Sequence, residues 1–458
     1  MDVKIENTGS VQRELSIVVP AKEVDQALSR IYRDLRKEAK LKGFRKGKAP
    51  ESIIKAHFRE YAIKEAENQL VAESYKQALL KHEIPVVSSP EIHFDGLEEG
   101  KDFLFKATVE VAPELPEMTG YKGIPVKSRL TDVLDVDIDN AIERMRNLQG
   151  KLVVVDGEYE AREGDYLIMD YEGEVDGKLI PDNKKVDVLH KLGSPDTLPE
   201  FDKALMGARA GETRSFKITY PENFPSNDLA GKEASFNVTV KEVKRLELPE
   251  VDETFIKGFG NFEDINAFRE FVKSDIHKER EEVNRQWMEE QILSFLLKRF
   301  SFEVPKSWIA KQASYLLKKY EQDQKRQGIK VEETPLDKHP QKKIFEELAE
   351  RQVKSMLLLD KIAKKEGITV EEADLNANYE KMSKETGISV DQIRSYYTSK
   401  LDQLNSLRDE LLRTKTLDYL LGHAVVEWVK DGEEEEKDQE LSKKSDVVNE
   451  EKGNIITP

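Results

Sequence analysis

The residues best suited to chemistry in this chain are suited to binding rather than to bond making. Between Arg30 and Lys48 lie nine cations (Arg30, Arg33, Arg36, Lys37, Lys40, Lys42, Arg45, Lys46, Lys48) against only Asp34 and Glu38. The whole chain of 458 residues nonetheless carries a formal charge of −17. Inside the cationic stretch sits Gly43-Phe44-Arg45-Lys46-Gly47-Lys48-Ala49-Pro50. Two glycines permit a tight exposed turn, and Pro50 presets a helix start. The turn would offer one aromatic ring and several cations, a combination suited to phosphate-rich RNA beside an apolar pocket on a protein. The same residues also fit a solvated helix–loop–helix corner with Phe44 tucked inward, and charge pattern alone favours that plainer arrangement.

Other chemistries are excluded or find no support. There is no cysteine, which removes thiol nucleophiles, disulfides and thiolate zinc sites. The seven histidines (His57, His82, His93, His190, His277, His339, His423) show no pair at metal-ligand spacing and read as structural or surface groups. Gly258-Phe259-Gly260 lacks the lysine and spacing of a phosphate-binding loop. The carboxylates form no arrangement that singles out a hydrolase, and no cofactor or metal is expected. So acidic a chain does not coat nucleic acid with its whole surface, although a local basic patch remains open to it. The first twenty residues are charged throughout with no apolar core, and no apolar run approaches the ~20 residues that cross a bilayer. The expectation is a soluble cytoplasmic protein without a membrane partner.

The elements that must position the cationic turn follow from periodicity. Leu15, Ile17 and Val19 alternate with polar neighbours, as do Phe103, Phe105, Ala107, Val109 and Val111, predicting half-buried strands. Between them Val24, Ala27, Leu28, Ile31 and Leu35 recur at helical spacing. Pro50 opens a second helical stretch with Ile53, Ile54 and Phe58, and Val71, Tyr75, Ala78 and Leu79 predict a third. Residues 1–112 therefore read as an α+β domain. Residues 113–150 are punctuated by Pro113, Pro116, Gly120, Gly123 and Pro125, with a short helix around Asp139–Leu148.

Residues 151–245 carry strand and turn signals, with Phe216, Ile218 and Tyr220 alternating and Phe236, Val238 and Val240 doing the same. Residues 246–430 read as almost wholly helical. There Val353, Met356 and Leu357 lie beside Leu359, Ile362 and Ala363, stripes that one packing partner cannot cover. Trp287, Trp308 and Trp428 are expected as core anchors. Residues 431–458 hold the acidic run Glu433–Glu436 and no aromatic residue, and are expected to be a disordered tail.

The turn Gly-Phe-Arg-x-Gly-x-x-Pro resembles the ribosome-docking signature of trigger factors, with every fixed position present. Pro113-Glu114-Leu115 with Tyr121-Lys122-Gly123-Ile124 is similar to the family's linker. Phe255-Ile256-Lys257-Gly258-Phe259-Gly260 and Val304-Pro305-Lys306-Ser307 resemble segments of its C-terminal body. The resemblance runs from the N-terminus to about Trp428. It implies a multidomain α+β fold: a ribosome-binding domain, an inserted FKBP-like β-rich domain, and an elongated helical C-terminal domain with arms that hold nascent and unfolded chains. It further implies that Phe44, Arg45 and Lys46 contact ribosomal protein and RNA near the exit tunnel, with Gly43, Gly47 and Pro50 shaping the loop. Dimerisation off the ribosome is also implied.

Residues 151–245 resemble an FKBP-type peptidyl-prolyl isomerase. Carried over position by position, its pocket falls on Tyr171, Ile180, Val188, Leu198, Phe201, Phe224 and Phe236. Rotation about the amide has a barrier of roughly 18–20 kcal/mol, and a dry aromatic cavity favours the less polar twisted bond without nucleophile or base. Ile180 and Val188 stand where the family usually has aromatics, and Glu200 where it usually has glycine. A weakened or altered isomerase is expected. Two other readings remain: a free prolyl isomerase whose helical arms recruit substrates, and a helical adaptor without a folding role.

Overall fold

The computed structural model describes residues 1–429 apart from 39, 42–43, 46, 176–177, 195–196, 223–228, 330 and 332, and the side chains of all of these except 178–183. The expected tail over 431–458 lies outside the described residues. The chain divides into two compact units, residues 1–128 with 287–429, and residues 129–286.

In the first unit, β1 (Asp2–Asn7), β2 (Gln12–Val19), β3 (Glu91–Phe94) and β4 (Phe103–Glu110) form an antiparallel sheet in the order β1-β2-β4-β3. The alternation read from sequence is the burial observed: Leu15, Ile17, Val19, Phe103, Phe105, Ala107 and Val109 all face the core. Helix α1 (Ala21–Glu38) adds Val24, Ala27, Leu28 and Ile31 to it. The second and third predicted helical stretches follow one another in α2 (Glu51–His82), two helical segments that meet at a kink where Phe58 takes non-helical φ −121° and ψ 16°.

Strand β5 (Pro125–Arg129) pairs with a strand at the far end of the described chain, β11 (Val425–Val429). The helices of this unit are the C-terminal part of α6 (Ile265–Arg299), α7 (Lys306–Arg326), α8 (Lys342–Glu366), α9 (Glu372–Thr386), α10 (Val390–Ser399) and α11 (Leu401–Gly422). Helix α8 packs on both α7 and α11, which buries Val353, Leu358, Leu359, Ile362 and Ala363. The stripe Leu359, Ile362 and Ala363 is therefore core, as is Val353, whereas Met356 and Leu357 are only half-buried. Two expectations are corrected here. The region to residue 430 is not helical to its end, and Trp428 is no core anchor: it is 64% exposed on β11. Val425, Val426 and Val429 are β-branched residues that favour the strand after Gly422 ends α11.

In the second unit, α3 (Asp135–Gln149) starts earlier than the helix expected near 139. It packs Ile138, Ala141 and Ile142 against Phe255 and Ile256 of α5 (Glu253–Lys257) and Phe268 and Val272 of α6. The β-rich part holds β6 (Lys151–Val154), β7 (Tyr166–Val175), β8 (Lys178–Lys191), α4 (Pro199–Leu205), β9 (Thr213–Thr219) and β10 (Glu233–Glu247). All its strands pair antiparallel, in the order β6-β10-β7-β8, with β9 also on β10. Among the described residues no helix is long and apolar enough to cross a membrane.

Candidate functional site

The cationic turn lies between α1 and α2. Amphipathic α1 sends its apolar stripe inward and leaves Arg30, Arg33 and Arg36 exposed. Among the described residues none of these three cations, nor Arg45 or Lys48, has a carboxylate within ion-pair distance. The turn is closed by its own backbone: Phe44 N–H donates to Leu41 C=O at 3.1 Å, and Lys48 N–H to Arg45 C=O at 2.9 Å. Gly47 takes φ +81°, a region that any side chain would strain. Ala49 is buried, and Pro50, at φ −59°, starts α2. Between these anchors Phe44 is 39% exposed and Arg45 is exposed, so the inward-tucked corner is not the arrangement formed. Gly43 and Lys46 lie outside the described residues.

The second site sits in the β-rich part of the other unit. Tyr171 on β7, Phe201 on α4 and Phe236 on β10 converge because β7 and β10 pair with Tyr171 opposite Val238 and Phe236 opposite Gly173. Inward positions two apart on each strand then share one face. Phe201 lies at the centre, with ring centroids 6.3 Å from Tyr171, 5.3 Å from Phe236 and 5.3 Å from Phe216. Most of these pairs are edge-to-face, the arrangement aromatic quadrupoles prefer. Val188 and Leu198 are half-buried against the same core. Ile180 is placed in β8 by its backbone, its side chain being outside the description, as is the whole of Phe224. Glu200 is exposed in the first turn of α4.

The Tyr171 hydroxyl is buried and has no hydrogen-bond partner among the described residues. Burial pushes its pKa up to about 12, so it remains a neutral donor. A ligand carbonyl could accept from it. The strand opposite carries a bulge: Met169 pairs with Val188 but Tyr171 with Lys185, giving β8 one extra residue. Asp187 takes φ +56° there, its N–H donating to Asp170 at 2.8 Å. Lys241 bridges Asp170 at 2.6 Å and Asp187 at 2.7 Å, and this ammonium holds the Asp170 carboxyl below its ordinary range.

Sequence reasoning missed two contributors. Phe216 shares the strand parity of the buried Ile218 and Tyr220, a signal that could have placed it inside. His190, taken as one of seven scattered histidines, lies edge-on to Phe201 at 5.6 Å. Nothing in its spacing announces that.

Three family models match this chain. Residues 1–145 match the one described as bacterial trigger factor protein, and residues 264–422 the one described as its C-terminus. Residues 157–241 match FKBP-type peptidyl-prolyl cis-trans isomerase. A trigger factor of Geotalea daltonii is 32% identical over 93% of this chain and 98% of its own length. One of Geobacter metallireducens is 33% identical over the same shares. A solved structure described as "Promiscuous Substrate Recognition in Folding and Assembly Activities of the Trigger Factor Chaperone" is 23% identical, covers 92% of this chain and 99% of that one, and has a TM-score of 0.45.

Proposed function

This chain belongs to the trigger factor family, and from that premise we propose that it docks on the ribosome through the Phe44 turn. It is a chaperone with an FKBP-type peptidyl-prolyl isomerase domain. In the proposed division of labour, residues 1–112 bind ribosomal protein and RNA beside the exit tunnel, and 113–150 join them to the C-terminal body. Residues 151–245 isomerise prolyl bonds, 246–430 hold nascent and unfolded chains without ATP, and 431–458 form an acidic tail. The protein works in the cytoplasm and dimerises off the ribosome.

One observation carries the docking proposal: a phenyl ring held 39% exposed beside an exposed guanidinium, on a turn locked by its own hydrogen bonds. Full burial of such a ring is worth about 1.5–3 kcal/mol, and a partner's apolar pocket would recover the part that the 39% exposure of Phe44 forgoes, about 1 kcal/mol. Arg45 and Lys46 add attraction to phosphates that weakens as salt rises. Ribosome cosedimentation tests this directly. Replacing Phe44, Arg45 and Lys46 together by alanine is expected to abolish pelleting at physiological salt, and pelleting at the parent level would reject the turn as the anchor.

The isomerase proposal places the twisting amide among Tyr171, Ile180, Val188, Leu198, Phe201, Phe224 and Phe236. The Tyr171 hydroxyl, unpartnered among the described residues, supports it, as a donor kept available for a prolyl-peptide carbonyl. Ile180 and Val188 offer less aromatic wall than the family usually has, and turnover below that of an all-aromatic pocket is expected.

A further inference from the structure

We propose that His190 and Asp202 are positioning residues for the isomerase pocket, holding the Phe201 ring in register with Tyr171 and Phe236. Helix α4 has seven residues, Pro199–Leu205, and its cap residue Leu198 makes no side-chain cap hydrogen bond. A helix that short does not hold itself. Its orientation must come from contacts outside it: Phe201 and Leu205 are buried, Arg214 donates to the Ala204 and Met206 carbonyls at 2.9 and 2.7 Å at its C-terminal end, and Asp202 anchors the turn that carries Phe201. Asp202 Oδ1 lies 2.6 Å from His190 Nε2 at the end of β8, and Asp202 Oδ2 accepts the Gly193 N–H at 2.8 Å from the turn that follows. The carboxylate can only accept, so the proton of this hydrogen bond sits on Nε2.

Both side chains are withdrawn from water, His190 at 12% exposure and Asp202 at 8%. Charge-assisted hydrogen bonds at such sites are stronger and more directional than those at the surface. The carboxylate thus pins α4 to two points of the β8 end, one residue along from Phe201. The histidine does a second thing. Its ring stands at 78° to Phe201 with centroids 5.6 Å apart, adding a further edge-on contact to that ring. Phe201 is therefore fixed both through its backbone, by Asp202, and through its ring, by His190.

The consequence is kinetic. A prolyl peptide is bound along its length, whereas the twisted amide is favoured only where the wall excludes water. Loss of the pair should then depress kcat and leave KM nearly unchanged. The proposal rests on the isomerase reading of the pocket, and the test separates the two. In the full-length chain, Asp202→Asn and His190→Leu are expected to lower kcat by about tenfold or more, since small misplacements of a positioning group have effects of that order. His190→Gln, which can still donate to Asp202 but lacks the ring set against Phe201, is expected to turn over at a rate between those of the parent and His190→Leu. The double variant His190→Leu/Asp202→Asn leaves no buried carboxylate unpaired, and it is expected to melt close to the parent yet remain slow. A double variant that recovers parent turnover would reduce the pair to a stability role and overturn the proposal. So would Asp202→Asn at parent kcat in an active parent. A parent with no turnover at all would remove the isomerase reading itself, and the pair's role with it.

Discussion

A phenol buried without a partner is unusual, because leaving a buried hydroxyl unsatisfied costs about 1–3 kcal/mol. Tyr171 is in that position among the described residues, and the burial that raises its pKa to about 12 keeps it protonated through the neutral and mildly alkaline range. The two facts give opposite signs for stability and function in one substitution. Tyr171→Phe removes an unsatisfied group, so thermal stability is expected to hold or rise by up to about 1 kcal/mol. The same change removes the donor proposed for the substrate carbonyl, so kcat/KM for a prolyl peptide is expected to fall by about tenfold, the worth of roughly 1.4 kcal/mol. Paired melting and isomerisation measurements on this variant decide it. Unchanged turnover would show that the hydroxyl faces no substrate. At this scale the matched positions of Tyr171, Phe201 and Phe236 brought together rings that do converge in the fold, whereas the alternation that marks Phe216 as inward did not mark it as part of the pocket. His190 was not, because a histidine's partner across a sheet end leaves no mark on its own sequence neighbourhood.

At the scale of elements, the segment between β4 and β5 shows where order comes from when periodicity is missing. Its carbonyls are captured by cations on helices far along the chain: Lys361 Nζ reaches Leu115 and Pro116 at 2.7 and 2.9 Å, Lys365 Nζ reaches Met118 at 2.5 Å, and Arg299 Nε reaches Thr119 at 3.0 Å. Glu366, the last residue of α8, then accepts from Tyr121 and Tyr419 at 2.5 Å each and pairs with Lys122 at 3.0 Å. Those hydrogen bonds, Tyr121's first, hold its carboxyl down to about 2 from an ordinary value near 4.5. A carboxyl whose folded pKa is depressed stabilises the fold fully above about 4.5, and that contribution is lost as pH falls towards about 2. Glu366→Gln is accordingly expected to lower the melting temperature at pH 7 and to narrow its deficit as pH falls from 4.5 to 3. Melting curves that stay parallel across that range would contradict the assignment. The sequence showed this segment only as proline and glycine punctuation, since the lysines that order it lie near residues 361–365. Strand β11 was missed for a related reason: its pairing partner, β5, is some 300 residues away in the chain, and only the β-branched Val425, Val426 and Val429 hinted at it.

At the scale of the whole molecule, the β-rich domain is an insertion whose two ends meet. Strands β6 and β10 pair antiparallel with Lys151 opposite Glu247 and Val154 opposite Lys244, so the chain enters and leaves through one ladder. Directly opposite residues in such a ladder have Cα atoms about 4.5–5.5 Å apart. A short link can therefore replace everything from 151 to 247 without stretching the chain. The helices on either side keep their own core, since Ile138, Ala141 and Ile142 of α3 pack with Phe255, Ile256 and Phe268 independently of the strands. The proposed docking turn belongs to the other unit and draws on none of the inserted residues. Deleting 151–247 with a glycine-serine link is thus expected to abolish prolyl isomerisation while leaving ribosome cosedimentation, and suppression of aggregation of an unfolded client, within about twofold of the parent, because sites built on separate cores without shared partners behave additively. If pelleting fell with isomerisation, docking would need the insert. If client holding alone fell, the inserted domain would be the principal client surface, and the helical body would serve chiefly to carry it.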